Sequence, residues 1–209
     1  MEEKRDNRNF WNRYAKLYDF EINMFSGKAY KAMYRMMAET LSRSMNVLEI
    51  ATGTGLIALN IAGCARQITA VDFAPKMIEK AKKKKNPGNV CFSVEDAASL
   101  SFVDASFDAV IISNALHIMP DPIMVLHNIS KVLKPNGILI APSYSHGHIR
   151  ESTWNLNAKL IRRLGLETYS KWSPDEYVGF IKQNGFRIEK WRVLQAAFPL
   201  VYLEAKKTD

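Results

Sequence analysis

An α/β fold built on a mostly parallel, seven-stranded sheet with helices on both faces is predicted by three observations. Short apolar runs alternate with helix-period segments from Val47 to Ala141. The segments between the runs are long enough to be helical crossovers, which parallel strands require. Several runs end in glycine or polar residues (Glu49 with Gly53, Asp72, Asp96, Asn114 with His117), and open parallel sheets bind ligands at the carboxyl ends of their strands. At 209 residues and 47% hydrophobic, the chain suits one such domain, 1–209. Residues 1–42 read as a helical lid, and 143–172 as a cap between the fifth strand and the last helix.

Taken in order, residues 9–21 read as a helix with an aromatic stripe of Phe10, Trp11, Tyr14, Leu17 and Tyr18. A second helix is predicted over 29–41, carrying Tyr30, Met33, Tyr34 and Met37 with Lys28, Lys31 and Arg35 nearby. Val47 to Ile50 is a buried strand, and a helix from Leu56 follows the turn at Gly53 and Gly55, with Gly63 placed to end it. Gln67 to Asp72 is the second strand, followed by a helix over 74–85 that Asn86-Pro87-Gly88 stops. Val90 to Val94 and Phe107 to Ile112 are the third and fourth strands. Asp121-Pro122 opens a helix that runs to Leu133. After the turn Lys134-Pro135-Asn136-Gly137, Ile138 to Ala141 is the fifth strand. Ser173-Pro174-Asp175-Glu176 is a capping box whose helix ends at Asn184-Gly185. Two strands, 186–193 and 198–205, close the sheet as an antiparallel pair.

The run from Val47 to Ala62 organises the chain. Strand, glycine turn and helix start present unpaired backbone N–H groups to a polar ligand head. Gly53-Thr54-Gly55-Leu56-Ile57-Ala58 satisfies the dinucleotide fingerprint, with Asp72 at the ribose-binding distance. An NAD(P)-dependent oxidoreductase is therefore one reading. Glu49 beside the turn argues against it, since a carboxylate repels a pyrophosphate and suits a cationic amino-acid ligand.

The pattern Glu49-x-Ala51-x-Gly53-x-Gly55, read with Asp72, resembles the first motifs of class I S-adenosylmethionine-dependent methyltransferases, a Rossmann-like family. Phe10 to Asp19 and Leu116-His117-x-x-Pro120-Asp121-Pro122 resemble the small-molecule methyltransferases of ubiquinone/menaquinone biosynthesis. The resemblance covers nearly the whole chain and implies S-adenosylmethionine as cofactor and S-adenosylhomocysteine as product. It implies that Tyr14 or Tyr18 lies near the cofactor's methionine end. Asp72 is then the acceptor for a ribose diol, and Asp96 with the Ala97 N–H reads an adenine edge. Phe73 and Met77 flank the adenine or are plain core residues. The family often has Gly where this chain has Ala51, which sets the turn further from its ligand. A cofactor-binding module without turnover remains a third reading, because methyl transfer needs orientation more than a fixed catalytic set.

His117 is the candidate general base, needed only if the acceptor loses a proton. His146 and His148, with Tyr18 and Trp154, are candidates for the acceptor pocket, while His127 reads as structural. The aromatic and aliphatic residues of 143–172 suggest a small-molecule or lipid-like acceptor. No Asn-Pro-Pro-Tyr run and no Pro-Cys nucleophile are present, and two cysteines, Cys64 and Cys91, are too few for an arsenite methyltransferase or a metal set. The net charge of +8 comes largely from the lysines between Lys80 and Lys85, which read as a solvated helix end. No aromatic residues interleave with them, so a specific nucleic-acid partner is not expected. Lys28, Lys31 and Arg35, with Lys159, Arg162 and Arg163, make peripheral contact with anionic lipid the further partner reading. The charged start of the chain does not read as a secretory signal, giving a cytoplasmic expectation.

Overall fold

The computed structural model describes residues 7–145, 165–195 and 199–208. The central sheet is assembled from β1 (Asn46–Ile50), β2 (Gln67–Asp72), β3 (Val90–Val94), β4 (Phe107–Ile112), β5 (Leu133–Ile140), β6 (Ser143–Tyr144), β7 (Phe186–Leu194) and β8 (Leu200–Lys207). Their order is β3-β2-β1-β4-β5-β8, with β7 on the far side of β8. β1 to β5 are mutually parallel, and β8 runs antiparallel to both β5 and β7. Eight strands replace the seven expected because β6 continues the lane of β5. Ile138 to Ile140 pair with 204–206 of β8, and Ser143 and Tyr144 pair with 200–201 of the same strand. Pro142, between them, has no N–H to donate and interrupts the ladder.

Buried strands alternate their side chains between two apolar layers. Val47 of β1 and Ile68 of β2 face α3 (Gly27–Thr40), α4 (Leu56–Ile61) and α5 (Pro75–Lys82). Leu48 and Ile50 face α6 (Pro122–Val132) and α7 (Pro174–Gln183). Two caps anchor the second layer. Asp121 accepts from the Met124 N–H at the start of α6, and Ser173 and Glu176 form the reciprocal capping box of α7.

Four local expectations need correction. The N-terminal helix is two, α1 (Arg8–Tyr14) and α2 (Tyr18–Phe25), divided at Ala15 to Leu17. Ala15 is buried against Ala74 and Met77, so the chain bends where α1 docks on α5. Gly63 is not a left-handed cap, since α4 runs into a short 3₁₀ turn over Ala62–Cys64. α5 stops at Lys82, with Lys83 as its cap, instead of at Lys85. β5 begins at Leu133, and Lys134 to Gly137 loop out between the pairs Leu133–Phe107 and Ile138–Ala109. That bulge is the turn expected from Pro135-Asn136-Gly137, with Asn136 at φ 60°.

Candidate functional site

The carboxyl ends of β1, β2, β3 and β4 open on one cleft of about 1060 Å³, its mouth included. At the tip of β1, Thr52 donates its N–H to Val71 O and Gly55 donates to Thr52 O, closing the turn that leads into α4. Gly53 (φ 57°) lines the cleft, and the Tyr18 ring stands 3.5 Å from where a Cβ would be. Gly55 does a different job. A Cβ there would come within 2.7 Å of the Phe92 ring, so this glycine seats the turn on β3 and does not face the cleft. Ala51 also lines the cleft and holds φ 55°, a left-handed conformation that costs a residue with a Cβ about 1–2 kcal/mol.

Asp72 ties the glycine turn to the second strand. Its carboxylate accepts from the Gly53 N–H at 2.8 Å and the Ala74 N–H at 2.9 Å. Burial pushes its pKa up to about 6 against the pull of those two donors. A carboxylate has about four acceptor positions, so two remain for a ligand diol in the cleft. Glu49 is buried behind the same turn, and burial lifts its pKa to about 8, opposed by the nearby Thr52 side chain and Ala58 N–H. Among the described residues, Glu49 Oε2 is without a partner. Glu49 is not itself on the cleft wall; its unspent oxygen is a buried acceptor behind the turn, of a kind that suits a cationic donor. These features fit the S-adenosylmethionine expected from the sequence: a diol for Asp72 and an amino-acid head for the turn and Glu49.

Phe73 and Met77 form the next wall, in one apolar cluster with Ala74, Ala15, Trp11 and Tyr18. Opposite stand Asp96 and Ala97. Asp96 accepts from the Ala98 N–H at 2.9 Å, and the Arg8 guanidinium lies 4.0 Å from its other oxygen and over the Phe73 ring. Asn114 lines the cleft too, at φ 54°, but its amide is already engaged. It donates to Tyr30 Oη at 3.1 Å and accepts from the Tyr144 N–H at 3.0 Å, locking α3 to β6.

The N-terminal helices are tied down by polar contacts the sequence did not reveal. Asn12 accepts the Lys76 N–H, and Lys80 donates to Lys16 O, both at 3.0 Å. Lys84 pairs with Asp19 at 2.8 Å and donates to Thr54 Oγ1 at 3.0 Å, while the Thr54 hydroxyl donates to Asp19. Two lysines of the run expected to be solvated therefore tie the N-terminal helices to α5 and the glycine turn. Asn7, buried at the rim, donates to Ile118 O and Glu167 O, and accepts from the Glu167 N–H.

Nine candidates from the sequence thus meet at the cleft: Tyr18, Ala51, Gly53, Asp72, Phe73, Met77, Asp96, Ala97 and Asn114. Tyr14 stacks on Phe10 instead, with ring centroids 5.1 Å apart, and Tyr18 takes the place beside Gly53. His117 is outside the cleft wall, though its neighbours Ala115 and Ile118 line it. Its Nδ1 is 3.4 Å from Ser143 Oγ. His146, His148, Trp154, Lys159, Arg162 and Arg163 lie outside the described residues. Asn7, Trp11, Glu95 and Ile118 to Asp121 line the cleft without having been foreseen as site residues. Trp11 was visible in the aromatic stripe, whereas Asn7 had no local signal. Among the described residues no cluster of potential metal ligands occurs, and no helix is long and apolar enough to cross a membrane.

A family profile described as a methyltransferase domain matches residues 48–141, the run from within β1 to just past β5. The chain is 31% identical over 167 residues to a demethylmenaquinone methyltransferase of Renibacterium salmoninarum, covering 78% of this chain and 70% of that one. It is 33% identical over 132 residues to the demethylmenaquinone methyltransferase of Staphylococcus aureus, covering 60% of this chain. That match spans 55% of the staphylococcal protein, little more than half its length. In fold, the chain is similar to a chain of the Haloferax volcanii complex between the Trm112 methyltransferase activator and a methyltransferase. The TM-score is 0.82 at 17% identity, over 97% of both chains.

Proposed function

The chain belongs to the class I S-adenosylmethionine-dependent methyltransferases of the ubiquinone/menaquinone-biosynthesis type, and from that premise we propose that it methylates a ring carbon of a quinol-type acceptor. One observation carries the cofactor half of this reading. The Asp72 carboxylate is clamped by the Gly53 and Ala74 N–H groups while its free acceptor positions serve the cleft. When bound, S-adenosylmethionine supplies the electrophilic methyl group. Asp72 holds the ribose and Glu49 with the turn holds the amino-acid head. Phe73, Met77, Asp96 and Ala97 take the adenine.

The acceptor half rests on the names of the relatives and on the apolar side of the cleft, where Trp11, Ile118, Met119 and Val125 suit a flat, apolar ring. A quinol carbon becomes nucleophilic as the neighbouring hydroxyl loses its proton; once that carbon has taken the methyl group and S-adenosylhomocysteine has left, its C–H proton is lost and the oxygen is reprotonated, so one proton is released overall. His117 stands just behind the wall residues Ala115 and Ile118, with its Nδ1 3.4 Å from the Ser143 hydroxyl, and we assign it to take the hydroxyl proton through a bridging water. Residues 1–42 act as the lid: α1 and α2 bring Trp11 and Tyr18 to the cleft and exclude water from it. Of the cap expected over 143–172, residues 146–164 lie outside the described residues; in the described part Glu167 meets Asn7, and the Tyr169 and Ser170 N–H groups meet the His117 carbonyl.

Methyl-labelled S-adenosylmethionine mixed with a reduced, short-tailed 2-demethylated naphthoquinone tests this reading. The expected product carries one labelled methyl on a ring carbon, identified by mass spectrometry. Label on a hydroxyl oxygen, or no transfer to any quinol by protein that binds S-adenosylhomocysteine, would overturn the acceptor assignment.

A further inference from the structure

The lid has an outer face that the fold leaves bare. Leu17, Phe20 and Met24 are 61%, 66% and 53% exposed; Phe20 and Met24 share one stripe of α2, and Leu17 is the N-cap residue three positions before Phe20. The other side of the helix works inward. Tyr18 lines the cleft and Ile22 packs on the cluster that includes Ala29, Tyr30, Met33 and Met37 of α3. Lys28, Lys31 and Arg35 repeat the same spacing on α3 and are all exposed. Ile22 and the buried residues of α3 share that cluster, and the two helices follow one another across Ser26, which leaves an exposed apolar stripe and an exposed cationic stripe on consecutive helices.

We propose that this face docks on an anionic lipid bilayer. Leu17, Phe20 and Met24 enter the boundary between headgroups and acyl chains, while Lys28, Lys31 and Arg35 meet the headgroups. Large apolar side chains are rarely left exposed in a row on a soluble surface, and here they lie next to three cations. The acids of α2 do not oppose the contact. Asp19 is turned in to Lys84, and Glu21, bordering the stripe, is half-buried with its pKa raised by that burial. Docking there would hold the lid, and the cleft beneath it, at the surface where a lipid-soluble acceptor resides. In that respect the inference rests on the quinol reading. The contact itself is measured without any acceptor.

The test is co-sedimentation of the full chain with vesicles of phosphatidylcholine alone or mixed with phosphatidylglycerol, at low and high salt. The wild type should partition to the anionic vesicles and lose much of that binding as salt rises. Phe20→Ser with Met24→Ser, and separately Lys31→Glu with Arg35→Glu, should each weaken it by about ten-fold or more. Both variants should retain the wild-type melting temperature and S-adenosylhomocysteine affinity, because every substituted side chain is exposed. Absence of binding to anionic vesicles overturns the proposal. So does binding that only the charge variant disrupts, which marks a diffuse basic surface, or an apolar variant that alters self-association instead. Vesicle binding without methyl transfer would leave this inference standing and remove the quinol acceptor. Transfer to a short-tailed quinol without vesicle binding would do the reverse.

Discussion

Glu49→Gln separates the two jobs its position allows. The side chain lies at the N-terminus of α4, near the Ala58 N–H, and also beside the glycine turn with one oxygen unspent. Glutamine keeps an oxygen for Ala58 and a closely similar shape, so the cap survives and the charge does not. Burial raises the Glu49 pKa from 4.5 to about 8, so the folded protein holds a proton between those values that the unfolded chain has released. Apo stability therefore falls as pH rises from 4.5 to 8, by on the order of 3–5 kcal/mol from this group. Glu49→Gln should flatten that part of the slope and melt above the wild type at pH 8. A cationic ligand head needs the ionised form. Wild-type affinity for S-adenosylhomocysteine should then climb towards ten-fold per unit between about pH 6 and 7.5, while the variant shows no such rise and binds about 10²-fold more weakly at the upper end. Calorimetry across that range, with melting curves at the same pH values, reads both effects. Equal affinity of variant and wild type at every pH would make Glu49 a helix cap and nothing more.

Two further substitutions follow from local geometry. Ala51→Gly relieves the left-handed φ of 55° and should raise stability by about 1 kcal/mol in urea melts, with cofactor affinity equal or higher because the turn can approach its ligand more closely. Lys84→Met removes the quarter-exposed ion pair to Asp19 and the bond to Thr54 while keeping an apolar stem. Stopped-flow release of S-adenosylhomocysteine should quicken by about three- to ten-fold, with a stability loss near 1 kcal/mol. An unchanged release rate would mean that the pair does not hold the N-terminal helices over the cleft.

The parts of the fold that were legible in the sequence are those with local punctuation. The strands 67–72, 90–94 and 107–112 have the bounds expected because each is an apolar run stopped by an acid or a turn residue. The capping box of α7 is likewise a local signal. The break between α1 and α2 has no Gly or Pro to announce it. It comes from docking Ala15 against α5, a contact some sixty residues away in the chain. The same holds at the site. Asp72 and Gly53 announce themselves by residue type at a strand end, and the structure joins them with a hydrogen bond. Asn7 is one asparagine whose partners, Ile118 and Glu167, are 111 and 160 positions distant, so no window of sequence contains its role. Asn114 was visible as a polar strand end, but not that Tyr30 and Tyr144 already occupy its amide.

The cofactor assignment turns on Asp72, and titration calorimetry of S-adenosylhomocysteine and NAD against the wild type and Asp72→Asn tests it most directly. Asparagine keeps the size of the side chain but places an amide donor where a carboxylate oxygen accepts from Gly53 or Ala74, and leaves fewer acceptors for a diol. We expect micromolar binding of S-adenosylhomocysteine to the wild type, no binding of NAD, and a loss of about 30- to 150-fold in the variant, the equivalent of roughly 2–3 kcal/mol. Unchanged S-adenosylhomocysteine affinity in a variant that still melts cooperatively, or tighter binding of NAD than of S-adenosylhomocysteine by the wild type, would contradict the account.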